Sequence, residues 1–435
     1  MEQTKQISSL NKYEQYKPSG VEWLGDVPSH WELTRLGTRF EERKTKVSDK
    51  DYPPLSVTKN GILPQLDSAA KSNDGDNRKL VKAGDFVINS RSDRKGSSGI
   101  SDRDGSVSLI NIVIEPKNVY SIYCNYLLKS YIFVEEFYRM GHGIVADLWT
   151  TRYDEMKAIT IGIPPIEEQI AIAQYLDRKT AQIDIAIAQK QKMIELLKER
   201  RQILIHKAVT QGLDPSVKMK NSGVEWIGHV PEHWEVVPIR RIIDVRDGTH
   251  DTPLYVEDNI DSYPLVTSKD FEGDIINFEN IKKISKKDHL NISKRSGVKK
   301  GDVLMSMIGG NIGKSVIIDD NDNFSIKNVA LFRTRDNISL AKYLRYYFES
   351  GLLQKQIDIK SRGGAQGFLS LSDIRNLVFF KIPQKEIELN SMHLDQIINQ
   401  KLATAIRLKE QEIEKLKEYK GSLINSVVTG KVRVV

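Results

Sequence analysis

GVEWLGDVPSHWE (Gly20 to Glu32) and GVEWIGHVPEHWE (Gly223 to Glu235) are two copies of one stretch in a single chain of 435 residues. Ten of the thirteen positions are identical, and the copies hold four of the five tryptophans: Trp23, Trp31, Trp226 and Trp234. The match continues beyond them. KAGDFVINS (82–90) answers KKGDVLMSM (299–307), and IPPIEEQIAIAQYLDRKT from Ile163 answers IPQKEIELNSMHLDQIIN from Ile382. The offset between copies drifts only from 203 to 219 residues, so order is kept and intervening loops differ in length. The chain is a tandem duplication of a unit of about 210 residues, long enough for each copy to bury its own core.

Each copy divides by texture. Its first part alternates turn-forming Gly, Asp, Asn and Ser with short β-branched runs: DFVIN, SLINIVIE, DVLMSMI and SVIIDD. Those runs predict strands. The stretches Tyr123 to Met140 and Ser339 to Ile357 predict one helix per copy, and the first strands are expected to start at Leu33 and Val236. The second part has apolar residues at heptad spacing and no Gly or Pro from Ile166 to Thr210. One seam runs Ala173, Leu176, Thr180, Ile183, Ile187, Lys190, Ile194, Leu197, Arg201, Leu204. Its counterpart, 219 residues on, runs Met392, Asp395, Asn399, Leu402, Ile406, Lys409, Ile413, Leu416, Lys420, Leu423.

Pro164, Pro165 and Pro383 suit helix starts, and Glu167, Glu168 and Glu386 suit the positive end of a helix dipole. Gly212 and Gly430 suit C-caps, whereas Gly421 inside the second helix costs roughly 1 kcal/mol against alanine. Each helix of about 43 residues spans roughly 65 Å. Two related apolar seams of this length predict an antiparallel coiled coil with an internal pseudo-two-fold axis, Lys190 and Lys409 near its middle. Helices packed separately on their own domains are the alternative. The fold is therefore read as α+β: domains at 1–162 and 213–381, long helices at 163–212 and 382–430, and a tail at 431–435. The tryptophan motif stands where the chain enters each domain and reads as a packing corner, with protein binding or base stacking as the other uses of such residues.

A hydrophobic content of 39% and a charged content of 28% are those of a globular protein. No apolar run is long enough for a membrane span, and the polar first residues do not resemble a secretory signal, so a cytoplasmic location is expected. The single cysteine, Cys124, can form neither an internal disulfide nor, alone, a zinc site. The formal charge of +7 allows a nucleic-acid partner without requiring one.

Catalytic motifs are missing where an enzyme would need them. No glycine-rich methyl-donor loop is accompanied by an Asn/Asp-Pro-Pro-aromatic tetrad. GGNIGKS (309–315) falls short of a nucleotide phosphate loop because Ile308 stands where its first glycine should be. Glu115-Pro116-Lys117 is the kind of acid–base pair that a charged chain produces by chance. No catalytic residue and no metal site is expected.

Glycine-rich loops with hydrogen-bond donors follow matching strands. One brings Arg91, Arg94, Lys95 and Arg103; the other brings Asn311 and Lys314. A second pair before the long helices offers Arg139, His142 and Trp149, and Arg362 and Gln366; a further loop brings Thr249 and His250. Such loops let backbone approach phosphate and let Arg, Asn or Lys reach base edges, though each taken singly could be a solvated loop.

Two α+β domains, each led by G-V-E-W-[LI]-G-x-V-P-x-H-W and followed by I-P-x-x-E and a long helix, resemble the specificity subunit of type I restriction–modification systems. The resemblance covers nearly the whole chain. It implies that the domains are target recognition domains, each reading half of a bipartite asymmetric DNA site. It implies further that the helices space them and dock two methyltransferase subunits, which restriction subunits join. S-adenosylmethionine, ATP and Mg would then be bound by the partners, with no cofactor in this chain. A stand-alone DNA-binding or architectural protein, or a pure protein scaffold, are the other readings.

Overall fold

In the computed structural model, which describes residues 11–65, 75–143, 149–258, 260–319, 323–335, 337–361 and 368–434, each tryptophan motif folds as a β-hairpin. Tyr16–Pro18 pairs antiparallel with Asp26–Pro28, and Met219–Asn221 with His229–Pro231. The chain divides into two units: Met1–Gln191 with Gln411–Val435, and Lys192–Glu410.

In the first unit the strand entering the domain, Glu32–Arg35, lies antiparallel to the strand leaving it, Thr160–Ile163. Between them a four-stranded sheet has the order Ser98–Ile100, Phe86–Asn89, Asn111–Pro116, Phe40–Glu42. Alternation along these strands buries both faces. Phe86, Ile88, Ile112 and Ile114 join a core with Tyr123, Leu127, Phe133 and Phe137. Val87 and Val113 meet Leu55, Ile62, Val81 and Val107 on the other side. The one helix expected over 123–140 is two, Ser121–Lys129 and Tyr131–Arg139. Ser130 breaks it with an extended backbone, and its hydroxyl caps the second helix at the Phe133 amide. Cys124, on the first of them, lies fully buried, its thiol pushed up by desolvation and so held as an inert apolar group.

The second unit repeats the scheme. Glu235–Pro238 pairs antiparallel with Val378–Lys381, enclosing a sheet of order Asp244–Asp247, Val329–Arg333, Val303–Ser306, Ser315–Ile317. Val303, Met305, Ala330 and Phe332 face one core, Leu304, Val329 and Leu331 another. Here too the single expected helix is two, Ile338–Glu349 and Leu352–Ser361, divided at Gly351, whose φ of +85° a residue with a Cβ rarely adopts. A second four-stranded sheet (Tyr255–Val256, Lys283–Ser285, Ser262–Val266, Ser325–Ile326) and the helix Lys286–Ser296 complete this domain.

The first long helix is continuous from Ile166 to Gln211. In the first unit its residues Ile172, Ala173, Leu176 and Ile183 share a core with Leu423, Val427 and Val428 of the second. Lys190 pairs with Glu412, and Asp184 with Lys420 at 2.7 Å, so numbering rises along one helix as it falls along the other. In the second unit Ile205, Ala208 and Val209 share a core with Leu394, Ile398 and Leu402.

The second long helix departs from the expected seam. It runs Gln384–Leu394, then a π-helical stretch Asp395–Leu402, then Ala403–Val428, passing through Gly421. Met392 is 63% exposed and Asn399 is exposed; Ser391, Leu394 and Ile398 take the buried places instead. Up to Ile398 the buried residues follow those of the first helix by 218 positions (Ala173 and Ser391, Leu176 and Leu394, Thr180 and Ile398). From Ile183 and Leu402 onward the offset is 219, through Ile187 and Ile406, Ile194 and Ile413, and Leu197 and Leu416 to Leu204 and Leu423. One extra residue has been absorbed as a widened turn, which keeps the apolar face in line on either side. Asp395 and Asn399 face their own domain, where Tyr346 donates to Asp395 at 2.6 Å and Asn399 donates to Tyr346 at 3.0 Å.

Candidate nucleic-acid interface

Each domain is fixed to its helix by a clamp that the tryptophan motif supplies. The Trp31 indole, fully buried, donates to Glu168 at 3.0 Å, and the His30 ring meets the other oxygen of the same carboxylate at 2.8 Å. In the second unit Trp234 donates to Glu386 at 2.9 Å and His233 meets its other oxygen at 2.6 Å. A buried indole N–H needs an acceptor, and a carboxylate in the first turn of a helix is favoured by the dipole. The acceptor in the first unit is Glu168, one residue beyond the glutamate of the I-P-x-x-E pattern, and 218 residues before Glu386. Tyr13 adds a third donor to Glu168 at 2.6 Å, its hydroxyl pushed far up first by burial and then by that bond.

The ends of the long helices close the clamps from behind. A Cβ at Gly430 (φ +71°) would run into Pro28, and Gly212 (φ +73°) leaves only van der Waals room for Trp234. The Lys431 ammonium donates to the carbonyls of Leu24, at 2.8 Å, and Asp26. Trp23 packs edge-on against Phe133 at 6.1 Å, and Trp226 packs against the core of its own domain.

The loops carry the variable chemistry. In the first domain Arg91 and Thr150 form an isolated bridge, as do His142 and Thr150, so the loops after Asn89 and after Arg139 lie side by side. That brings Arg91, Arg94, Lys95 and His142 to one edge. Arg103 is not among them; Gly84 and Ser101 pair at the opposite end of the same hairpin. Most of these cations already have carboxylates: Arg91 with Asp93 at 3.1 Å, Lys95 with Glu135 at 2.6 Å, Arg103 with Asp102 at 2.6 Å, Arg139 with Glu136 at 2.6 Å. Arg94 is the freest, 70% exposed and 3.8 Å from Asp93.

In the second domain Gly248 to His250 and Ile326 to Asn328 are stitched together, Thr249 pairing with Lys327 in parallel. His250 bridges Asp247 and Asn328 at 3.0 Å each. Lys314 donates to the Phe271 carbonyl at 2.5 Å and is half-buried, so it braces the loop rather than reaching out from it. The backbone of Asn311 lies in the Gly309–Asn311 turn, while Arg362 and Gln366 lie outside the described residues. Beside these loops is a cavity of about 490 Å³ lined by Tyr255, Lys269, Lys282, Lys327 and Asn328, none of them singled out from sequence. Among the described residues no cluster of His, Cys, Asp or Glu is placed to hold a metal, and no helix is long and apolar enough to cross a membrane.

Residues 231–418 match the model of the type I restriction modification DNA specificity domain. Over 425 residues the chain is 25% identical to the type I restriction enzyme MjaVIII specificity subunit of Methanocaldococcus jannaschii, covering 94% of each. The fold is that of a chain solved in a study of complex assembly and conformational transition of the type I R-M system (TM-score 0.68, 16% identity, 92% of this chain and 98% of that one). It also matches the HsdS subunit from Thermoanaerobacter tengcongensis (TM-score 0.56, 17% identity, 93% and 98%). Over 94% of its length the chain is thus similar to a type I restriction enzyme specificity subunit, and its fold is that of an HsdS subunit.

Proposed function

We propose that this chain is the non-catalytic subunit that gives a type I restriction–modification complex its DNA sequence specificity. One observation carries the reading: the two domains keep the same clamp and the same central sheet yet place different side chains on the loops at the strand ends. A duplicated scaffold with divergent loops suits the reading of two different sequences from one kind of platform. Each domain then reads one half of a bipartite asymmetric site, and the paired helices set the gap between halves. In the first domain Arg91, Arg94, Lys95, Arg139 and His142 are the contact candidates, and in the second Thr249, His250, Asn311, Arg362 and Gln366.

The repeated parts of the chain suit two copies of one partner, a methyltransferase subunit, with restriction subunits joining that core. S-adenosylmethionine, ATP and Mg belong to those partners, and the whole assembly works on double-stranded DNA in the cytoplasm. Mapping methylated adenines in the host genome with and without this gene tests the reading. A two-part asymmetric motif that vanishes with the gene is the expected result; an unchanged methylation pattern overturns it.

A further inference from the structure

The cations that reading the sequence favoured are mostly paired, whereas a group it passed over is not. Five separate stretches of the second domain converge on the cavity of about 490 Å³: the strand at Tyr255, the turn at Lys269, the segment at Lys282, the bridge residue Ile308 and the turn Lys327-Asn328. Lys269 and Lys282 are exposed, and neither ammonium has a carboxylate partner among the described residues; that of Lys282 lies 5.9 Å from the centre of the Tyr255 ring. Lys327 is held by the Thr252 hydroxyl. The one carboxylate on the wall, Asp270, is engaged by the amide of Thr267 at 2.7 Å and its hydroxyl at 2.8 Å. What remains is a concave, cationic surface.

Asn328 is a polar side chain of the wall that is fixed at one end. Its backbone is left-handed (φ +53°), a conformation asparagine tolerates better than most residues, and its amide donates to Thr249 O at 3.1 Å. His250, anchored on Asp247, holds one end of its side-chain amide. The other end has no hydrogen bond among the described residues, and Asn328 is among the residues lining the cavity. Next to it Gly309 and Gly310 have open space where a Cβ would stand, so a polynucleotide backbone can come close. Phe368, exposed, pairs with Ile308 and lies 6.5 Å from the His250 ring, walling the same edge.

We propose that this cavity seats one strand of the DNA half-site read by the second domain, Lys269 and Lys282 binding phosphates and Asn328 reading a base edge. The assignment rests on the recognition role proposed above and names the residues that would carry it. Phosphate contacts fix register without reading sequence, whereas a side-chain amide held at one end can discriminate between base edges with the other. Asp247 and His250 are positioning residues for that amide.

The test uses the full chain in its complex and a pool of duplex DNA with a randomised centre, selected for binding and sequenced. Lys269→Ala and Lys282→Ala should each weaken binding to every sequence alike and lower the slope of log affinity against log salt by about 1. Asn328→Gly, which keeps the left-handed backbone, should relax one or two positions in one half of the selected motif by about fivefold or more. Asn328→Asp should change the base preferred there, a result that a purely structural role does not produce. Lys287→Ala, an exposed lysine on the helix Lys286–Ser296 and outside the cavity lining, serves as the unaffected control. A two-part motif that all four cavity variants leave unchanged overturns the cavity while sparing the recognition role. So does a uniform loss with Asn328→Gly. A wild-type complex that selects no motif overturns the recognition role and the cavity with it.

Discussion

The two globular domains share a clamp and a central sheet, but they neutralise their charges differently. In the first, Arg91, Lys95, Arg103 and Arg139 each meet a carboxylate of the same domain. In the second, Lys269 and Lys282 border a cavity with no such partner among the described residues. The same contrast reaches the sheet. Asp85 and Asp302 are equivalent, each turning back to a neighbouring backbone amide, Lys82 at 2.8 Å and Lys299 at 3.1 Å. Asp85 also receives Arg43 through two bonds of 2.7 and 3.0 Å, which raise the guanidinium's own proton affinity. Asp302 has only backbone donors, and burial raises its carboxyl above the ordinary range. Position in a duplicated fold is inherited; the electrostatic surroundings of that position are not.

If the clamps are equivalent, Trp31→Ala and Trp234→Ala should each cost about 3–5 kcal/mol, the largest effects expected. Each loss should fall in its own unit, read as an early transition in denaturant by hydrogen exchange on that unit alone. Equal destabilisation of both units by either variant would break the comparison. Asp85→Asn leaves the Arg43 guanidinium with Glu115 alone, at 3.1 Å, and should cost about 2 kcal/mol in urea unfolding, while Asp302→Asn breaks no ion pair and should cost clearly less. Arg94→Ala should weaken recognition of one half-site by roughly 1–3 kcal/mol in competition binding, with the other half unaffected.

A smaller effect lies in pH. Because burial holds the Asp302 carboxyl above its unfolded value, the protonated form favours folding. Its contribution is fully present below the unfolded value and is lost as pH rises through the folded one. The stability of wild type relative to Asp302→Asn should therefore rise as pH falls from neutral into the carboxylate range, measured by urea midpoints across that window. A flat difference would show that Asp302 is not set apart by burial. Smallest of all, Arg103→Ala should alter neither the thermal midpoint nor DNA binding, because its guanidinium is exposed and sits at the far end of the hairpin from Arg91.

Much of the architecture was legible because it is written twice and periodically. The strands at Phe86–Asn89 and Val303–Ser306, and the first long helix, follow from β-branched runs and heptads. What escaped was non-local or one residue wide. Trp31 and Glu168 are 137 positions apart, so nothing local joins them, and the I-P-x-x-E pattern points to Glu167 instead. Ser130 breaks a helix without a glycine or proline to announce it. A single extra residue in Asp395–Leu402 shifts the seam, which a fixed offset of 219 cannot represent. The loops were hardest to read. Arg103 stands twelve residues after Arg91 in a basic run yet lies at the other end of the hairpin, and the lysines of the cavity come from stretches with no common signal.

The pairing of Glu32–Arg35 with Thr160–Ile163, and of Glu235–Pro238 with Val378–Lys381, gives each domain a doorway in which entrance and exit stand side by side. Whatever the chain does between those strands, it returns to its starting point before the helix begins. An exchange of chain with breakpoints in the two door strands would therefore replace an entire domain while leaving the long helices and the other domain untouched. Under the function proposed above, such an exchange would change one half of the target while the other domain and both helices stay as they are.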